Sequence, residues 1–162
     1  MVHENRHLIN CLRGDGNEHI IILIDSGWVN DDYDDTLLMR AVFWNNDDDV
    51  FDYLIEKSQD FSVVNRHGWN IIHYIVLYGD DKISESELIK LSHKTNVESL
   101  INERGVGGET PLHYAAHKNK YRTIARLISM GSDVNLRNIY NKLPDEHDDC
   151  DDETKRIIRQ SR

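Results

Sequence analysis

Residues 108–135 read GETPLHYAAHKNKYRTIARLISMGSDVN, and this stretch decides the fold. Gly108 permits a tight turn. Thr110 can cap a helix start, and Pro111 at the first helical position gives up no hydrogen bond. Leu112, Ala115 and Ala116 then form a narrow apolar face, and small alanines let a second helix approach closely. Asn119 is placed to end that helix in the left-handed conformation. The next helix puts Ile124, Leu127 and Ile128 on one face, Gly131 stops it, and SDVN carries the chain out towards the next unit.

The same phrase recurs along the chain. Thr110 opens TPLHYAAHKN. Asn70 opens NIIHYIVLYG, with Ile71 in the place of Pro111, and Thr36 opens TLLMRAVFWN, with Ala41 on the small-residue position. About one period earlier, His3 opens HENRHLINCLRG; one period later, Leu143 stands in NKLPDEHDD. From Thr36 onwards the openings are 34, 40 and 33 residues apart. The second helices recur as HIIILIDSGWVN, VFDYLIEKSQDFSVVN and TIARLISMGSDVN, the middle one following Asp47, Asp48 and Asp49, where negative charge suits a helix N-terminus. In the long third copy, Ser84 with Glu87 three residues on reads as a capping box opening a helix that carries Leu88, Ile89 and Leu91. The extra residues are expected in HKTNVESLINERGVG at 93–107 as an extended hairpin or loop, either a partner-contacting protrusion or tolerated slack. Helix pairs are predicted near 36–56, 70–93 and 110–130, with weaker pairs at each end.

The turn-plus-two-helix phrase with TPLHYAA resembles the ankyrin repeat, a stacking unit of about 33 residues. The resemblance covers nearly the whole chain, most strongly 102–144 and least in the first 30 residues. It implies an all-α ankyrin-repeat solenoid of three internal repeats with two degenerate capping repeats. The chain would be a single domain over 1–162, with approximate repeats at 1–30, 31–64, 65–104, 105–137 and 138–162. The resemblance implies protein–protein recognition, with neither catalysis nor a cofactor. His73 and His113, at the histidine of the family phrase, would hydrogen-bond neighbouring repeat backbones rather than perform chemistry.

Within the family, LINERGVGGETPLHYAA at 100–116 after a lengthened repeat is similar to the IκB group, whose small viral-type members consist of little more than the repeats. That likeness implies an inhibitor of Rel/NF-κB transcription factors. A substrate adaptor or host-directed effector is the alternative, and a metal-dependent enzyme or regulatory subunit is a third class. Asp25-Ser26-Gly27 opens like the phosphodegron of that group, but Asn30 stands where its second serine would be.

Composition bounds these readings. The chain has 162 residues and a formal net charge of −10, with 29 acidic against 19 basic residues. Such a surface repels phosphate backbones, so direct nucleic-acid binding is not expected. It would attract a basic protein surface, although the same charge also serves solubility. Cys11 and Cys150 near opposite ends suggest no disulfide framework and favour a reducing compartment. The start lacks a signal-peptide apolar core, and the longest apolar run, IIILI at 20–24, is too short to span a bilayer. The expected location is cytoplasmic or nuclear, including that of a host cell.

Other motifs have plain readings. EHDDCDDE at 146–153 holds metal-ligand types without a zinc spacing, and reads as a solvated acidic loop. DDYDD at 31–35 and NNDDD at 45–49 lack the order of a calcium loop. Cys150 has anionic neighbours that disfavour its thiolate. Aromatic residues anchor many interfaces. Trp69 falls in a turn that would project outward. Trp44, Tyr78 and Lys118 fall at equivalent points near the ends of first helices, beside Phe43, Leu77 and His117, while Trp28 reads as packing. The expected partner-binding set is Tyr33, Trp44, Arg66, His67, Trp69, Tyr78, His117 and Lys118, with no catalytic or metal-binding residue.

Overall fold

The computed structural model describes residues 34–43, 48–57, 60–95 and 97–162, and all that follows concerns these. They form α1 (Leu37–Phe43), α2 (Asp48–Lys57), α3 (Ile71–Tyr78), α4 (Asp81–Lys94), α5 (Pro111–His117), α6 (Tyr121–Ser129) and α7 (Asp152–Arg159), with no strand among the described residues. Short 3-10 turns occur at Val106–Gly108 and Pro144–Glu146. The helices stack in two layers. In the inner one α1 packs on α3, α3 on α5, and α5 on the Pro144–Glu146 turn; in the outer one α2 packs on α4, α4 on α6, and α6 on α7. No helix among the described residues is long and apolar enough to cross a membrane.

One continuous core runs between the layers. Ile71, Ile72, Ile75, Leu88, Leu91, Leu112, Ile124, Leu127 and Ile158 are all buried within it. Ala115 and Ala116 are wholly buried, consistent with small residues admitting the outer helix. Asn119 does adopt the left-handed conformation, at φ 51°.

Polar side chains tie each unit to the next. The Asp81 carboxylate accepts hydrogen bonds from the Arg122 and Thr123 backbone N–H groups, at 3.1 and 2.9 Å, so a residue of one unit caps α6 of the following one. The Asn119 side chain anchors the start of α7, accepting from Asp151 N–H at 2.9 Å and from the Thr154 hydroxyl at 2.8 Å. The buried Lys120 ammonium donates to the carbonyls of Val76 and Gly79 at the end of α3. Positive charge is favourable at a helix C-terminus.

The histidines of the repeated phrase are structural. The Thr110 hydroxyl lies 2.8 Å from His113 Nδ1, whose lone pair also takes the Thr110 N–H at 3.2 Å. The proton is thereby assigned to Nε2, which donates to the Lys142 carbonyl at 3.2 Å. His73 spans the preceding junction, with Nδ1 2.9 Å from Asn70 Oδ1 and Nε2 3.5 Å from the Glu109 carbonyl. Burial lowers the pKa of both rings, that of His73 to about 4, so both are neutral at pH 7.

Two sequence expectations require correction. The second helix of the long unit opens three residues before Ser84. Asp80 is its N-cap, accepting from Lys82 and Ile83 N–H at 2.9 and 2.8 Å, while the Ser84 hydroxyl donates to the Ile75 carbonyl at 2.7 Å. The extra residues of that unit do not form a protrusion: α4 is 14 residues long against 9 for α6, and the following turn buries Val97, Leu100 and Ile101 in the core. The acidic stretch from 146 is solvated as expected, with Glu146, Asp148 and Asp149 exposed, and its carboxylates are also tied down. Glu146 pairs with Arg137, Asp148 with Lys142 and Asp149 with His117, while Asp151 caps α7. Neighbouring Asp145, 1% exposed, takes both Arg159 and Arg162. In this last unit the inner helix is reduced to the Pro144–Glu146 turn. The reading of residues 1–30 as a capping repeat, with Cys11 and Trp28, lies outside the described residues.

Candidate partner-binding face

The inner helices carry a group of rings in which Tyr74 belongs to the buried core while Phe43 and Tyr78 stay exposed. Tyr74 and Tyr78 are one turn apart on α3, with ring centroids 5.2 Å apart. Phe43, at the end of α1, meets Tyr78 edge-on at 4.7 Å. The turn before α3 then folds back over them: Trp69 stands edge-on to Tyr74 at 6.2 Å, and His67 lies 4.9 Å from Trp69. With Asp35 and Arg40, these rings line a cleft of about 240 Å³.

The floor of the cleft is polar, buried and neutralised. Asp35 accepts from the Tyr74 hydroxyl at 2.5 Å and from Asn65 Nδ2 at 2.8 Å, and its other oxygen pairs with Arg40 Nε at 2.9 Å. Burial, reinforced by Asp35, raises the pKa of both the Tyr74 and Tyr78 phenols, so each is an uncharged hydroxyl. The walls are therefore apolar rings with hydroxyl tips over a carboxylate–guanidinium pair. That arrangement offers desolvated contact and a few directional hydrogen bonds. The one described thiol, Cys150, is not among the residues lining the cleft; burial pushes it up to about 11, and its Sγ donates to the Pro144 carbonyl at 3.4 Å.

The sequence-derived set divides on this geometry. His67, Trp69 and Tyr78 come together in the cleft. Arg66 occupies the same turn but is exposed and pairs with Asp34 at 3.0 Å. His117 and Lys118 end α5, where His117 meets Asp149 at 3.0 Å and the His147 ring at 5.6 Å. Tyr33 and Trp44 lie outside the described residues, so of Trp44, Tyr78 and Lys118, which match in register near the ends of the first helices, the structure places the last two. Trp69 does not project outward as its turn suggested. It is half-buried, and its Nε1 donates to the Tyr114 hydroxyl of the next unit at 3.2 Å. Gly105 makes room for it, since a Cβ there would fall 2.3 Å from Trp69 Cδ1.

Tyr74, Asp35 and Arg40 were missed. The spacing of Tyr74 and Tyr78, four residues apart in a helix, is a sequence signal that could have found the first. The Asp35–Arg40 pair becomes visible only once α1 is set beside α3.

Comparison with known proteins agrees with the geometry. The family model described as ankyrin repeats (3 copies) matches residues 38–138. Ankyrin repeat protein OPG189 of Variola virus is 30% identical over 149 residues, covering 86% of this chain and 25% of the viral protein. The protein of the same name from Vaccinia virus (strain Copenhagen) is 30% identical over 147 residues, with the same coverage of 86% and 25%. Tyrosine-protein kinase Shark of Drosophila melanogaster is 33% identical over 105 residues, which are 65% of this chain but 10% of the kinase. The chain thus spans about a quarter of the length of these viral relatives. With a repeat model matching most of its length and the helix pairs stacked in two layers, the chain belongs to the ankyrin-repeat family.

Proposed function

We propose that the chain is a stoichiometric binder of another protein, and that the partner seats a side chain or a short segment in the aromatic cleft between α1, α3 and the 65–69 turn. The ankyrin-repeat fold is a non-enzymatic protein–protein interaction module, and the viral ankyrin relatives fit that role. The observation that carries the cleft assignment is the exposure of its rim. Phe43 and Tyr78 are 38% and 39% exposed, whereas Leu38, Met39, Val42, Ile72, Ile75 and Val76 on the same two helices are buried. A volume of about 240 Å³ suits one large side chain rather than a whole cofactor. Aromatic rings around a desolvated pocket are where interface energy concentrates.

A Rel-type transcription factor is the first partner to test, on the likeness of 100–116 to the IκB group. The net charge of −10 favours encounter with its basic surface. Affinity capture from cytosol with the wild-type chain and a Tyr78→Ser variant, run in parallel, tests the binder. A partner retained by the first bait and lost by the second supports the cleft; equal recovery on both excludes it. Light scattering of the chain mixed with a purified Rel-type DNA-binding domain tests the inhibitor. A one-to-one complex supports it, and two separate species remove it.

A further inference from the structure

We propose a second contact surface, separate from the cleft: the turns at 104–108 and 137–142 form an apolar ledge edged by cations, which takes an extended acidic segment of a partner protein carrying an apolar residue between carboxylates. Ile139 and Tyr140 are 70% and 72% exposed, and neighbouring Val106 is 53% exposed. Ile139 and Tyr140 lie against the turn that carries Val106. Ile139 lies over Gly108, where a Cβ would come within 3.1 Å of Ile139 Cγ2, and the Tyr140 ring covers Gly107. Isolated exposed apolar residues are common, but a grouping of the most exposed ones marks an interaction site.

The ledge is built before anything binds. Ile139 N–H donates to the Gly107 carbonyl at 2.9 Å, joining one turn to the other. Asn138 locks its own turn by accepting from Tyr140 and Lys142 N–H at 2.9 and 3.0 Å, and its Nδ2 donates to Glu109 at 2.7 Å. Gly108, at φ +69°, supplies the left-handed bend that the first turn needs. The two apolar side chains at 139 and 140 thus contribute nothing to holding the turn, whose bonds are made by backbone and Asn138. A pre-organised surface loses little entropy on binding.

Charge selects the partner. Residues 103–109 and 137–142 carry Arg104, Arg137 and Lys142 against Glu103 and Glu109, the latter held by Asn138 and His147, in a chain whose net charge is −10. The Arg104 guanidinium is fixed by the carbonyls of Arg137 and Gly108, at 2.6 and 3.3 Å, and no carboxylate among the described residues pairs with it. Arg137 and Lys142 hold Glu146 and Asp148 in exposed pairs, which incoming carboxylates can replace at little cost. A basic segment would meet Arg104 unshielded.

Selection of a displayed random-dodecamer peptide library on the full chain tests the ledge, with each enriched peptide re-assayed on an Ile139→Ser/Tyr140→Ser variant and on Tyr78→Ser. Both ledge side chains are exposed, so the first variant should keep the wild-type helical spectrum. The expected result is peptides with an apolar residue flanked by Asp or Glu. They should bind the ledge variant about tenfold more weakly or worse, bind Tyr78→Ser as they bind wild type, and lose affinity as salt rises. Basic peptides, peptides insensitive to the ledge variant, peptides lost only on Tyr78→Ser, or no enrichment would each overturn the proposal. Loss on Tyr78→Ser alone would at the same time support the cleft, so the two surfaces stand or fall separately.

Discussion

Acid should loosen the stack through His73, and the size of the effect follows from its burial. The ring has no exposed surface and is held neutral, with a pKa of about 4 against 6.5 when free in the unfolded chain. Between those values the unfolded state binds a proton that the native state refuses. The stability this histidine confers is complete above pH 6.5 and drains away as pH falls towards 4. At about 1.36 kcal/mol per pKa unit, roughly 2.5 kcal/mol is lost by pH 4.5. Many carboxylates also titrate near that pH, so the test compares wild type with His73→Gln. Urea denaturation at pH 7.5, 6.5, 5.5 and 4.5 gives the stability of each. Glutamine can keep a hydrogen bond but takes up no proton. The variant should therefore be the less stable at pH 7.5, with the gap closing by about 2 kcal/mol at pH 4.5. A gap independent of pH would refute the placing of His73 as a buried neutral link between units.

Three other perturbations probe the stack. Leu112→Ala removes a wholly buried core side chain and should cost about 2–5 kcal/mol in chemical denaturation. Asp81→Ala strips α6 of the cap supplied by the previous unit and should cost about 1–2 kcal/mol, while Asp81→Asn keeps an acceptor and should cost less. Asp145→Asn removes the buried partner of Arg159 and Arg162. Hydrogen bonds from both arginines overcome the effect of burial and hold the Asp145 carboxyl below the usual range, so the variant should lose about 2 kcal/mol at pH 7. Faster amide hydrogen exchange confined to α7 and the turn before it is the expected readout.

The fold was legible wherever local chemistry and packing pointed the same way. Pro111, Asn119 and the small alanines of α5 each specify a local geometry that the stack also requires, and the histidines carry the same message because each meets the cap residue three positions before it and a backbone carbonyl of the next unit. Legibility failed where two local signals competed. Asp80 and Ser84 both offer a cap, and only the packing of α4 on α3 shows that Ser84 is taken by the Ile75 carbonyl. Leu100 and Ile101 lie in a segment too short for a helical period, so their burial had no sequence signature. The face was half legible. Aromatics at helix ends could be found by register, but the inward fold of Trp69 depends on Gly105, which is 36 residues away in sequence. The partners of the acidic residues at 145–151 are likewise set by tertiary contacts.

Because Trp69 bridges two units, its replacement would confound binding with folding; Phe43 and Tyr78 are exposed and avoid this. The decisive quantity is the dissociation constant of a purified captured partner for the wild-type chain and for Phe43→Ser/Tyr78→Ser, with matched helical spectra. Removing two rim anchors should weaken binding by about 2–4 kcal/mol, roughly 30-fold to 1000-fold, mostly through faster dissociation. An unchanged constant in the folded double variant would contradict the assignment of the cleft as the partner-binding site.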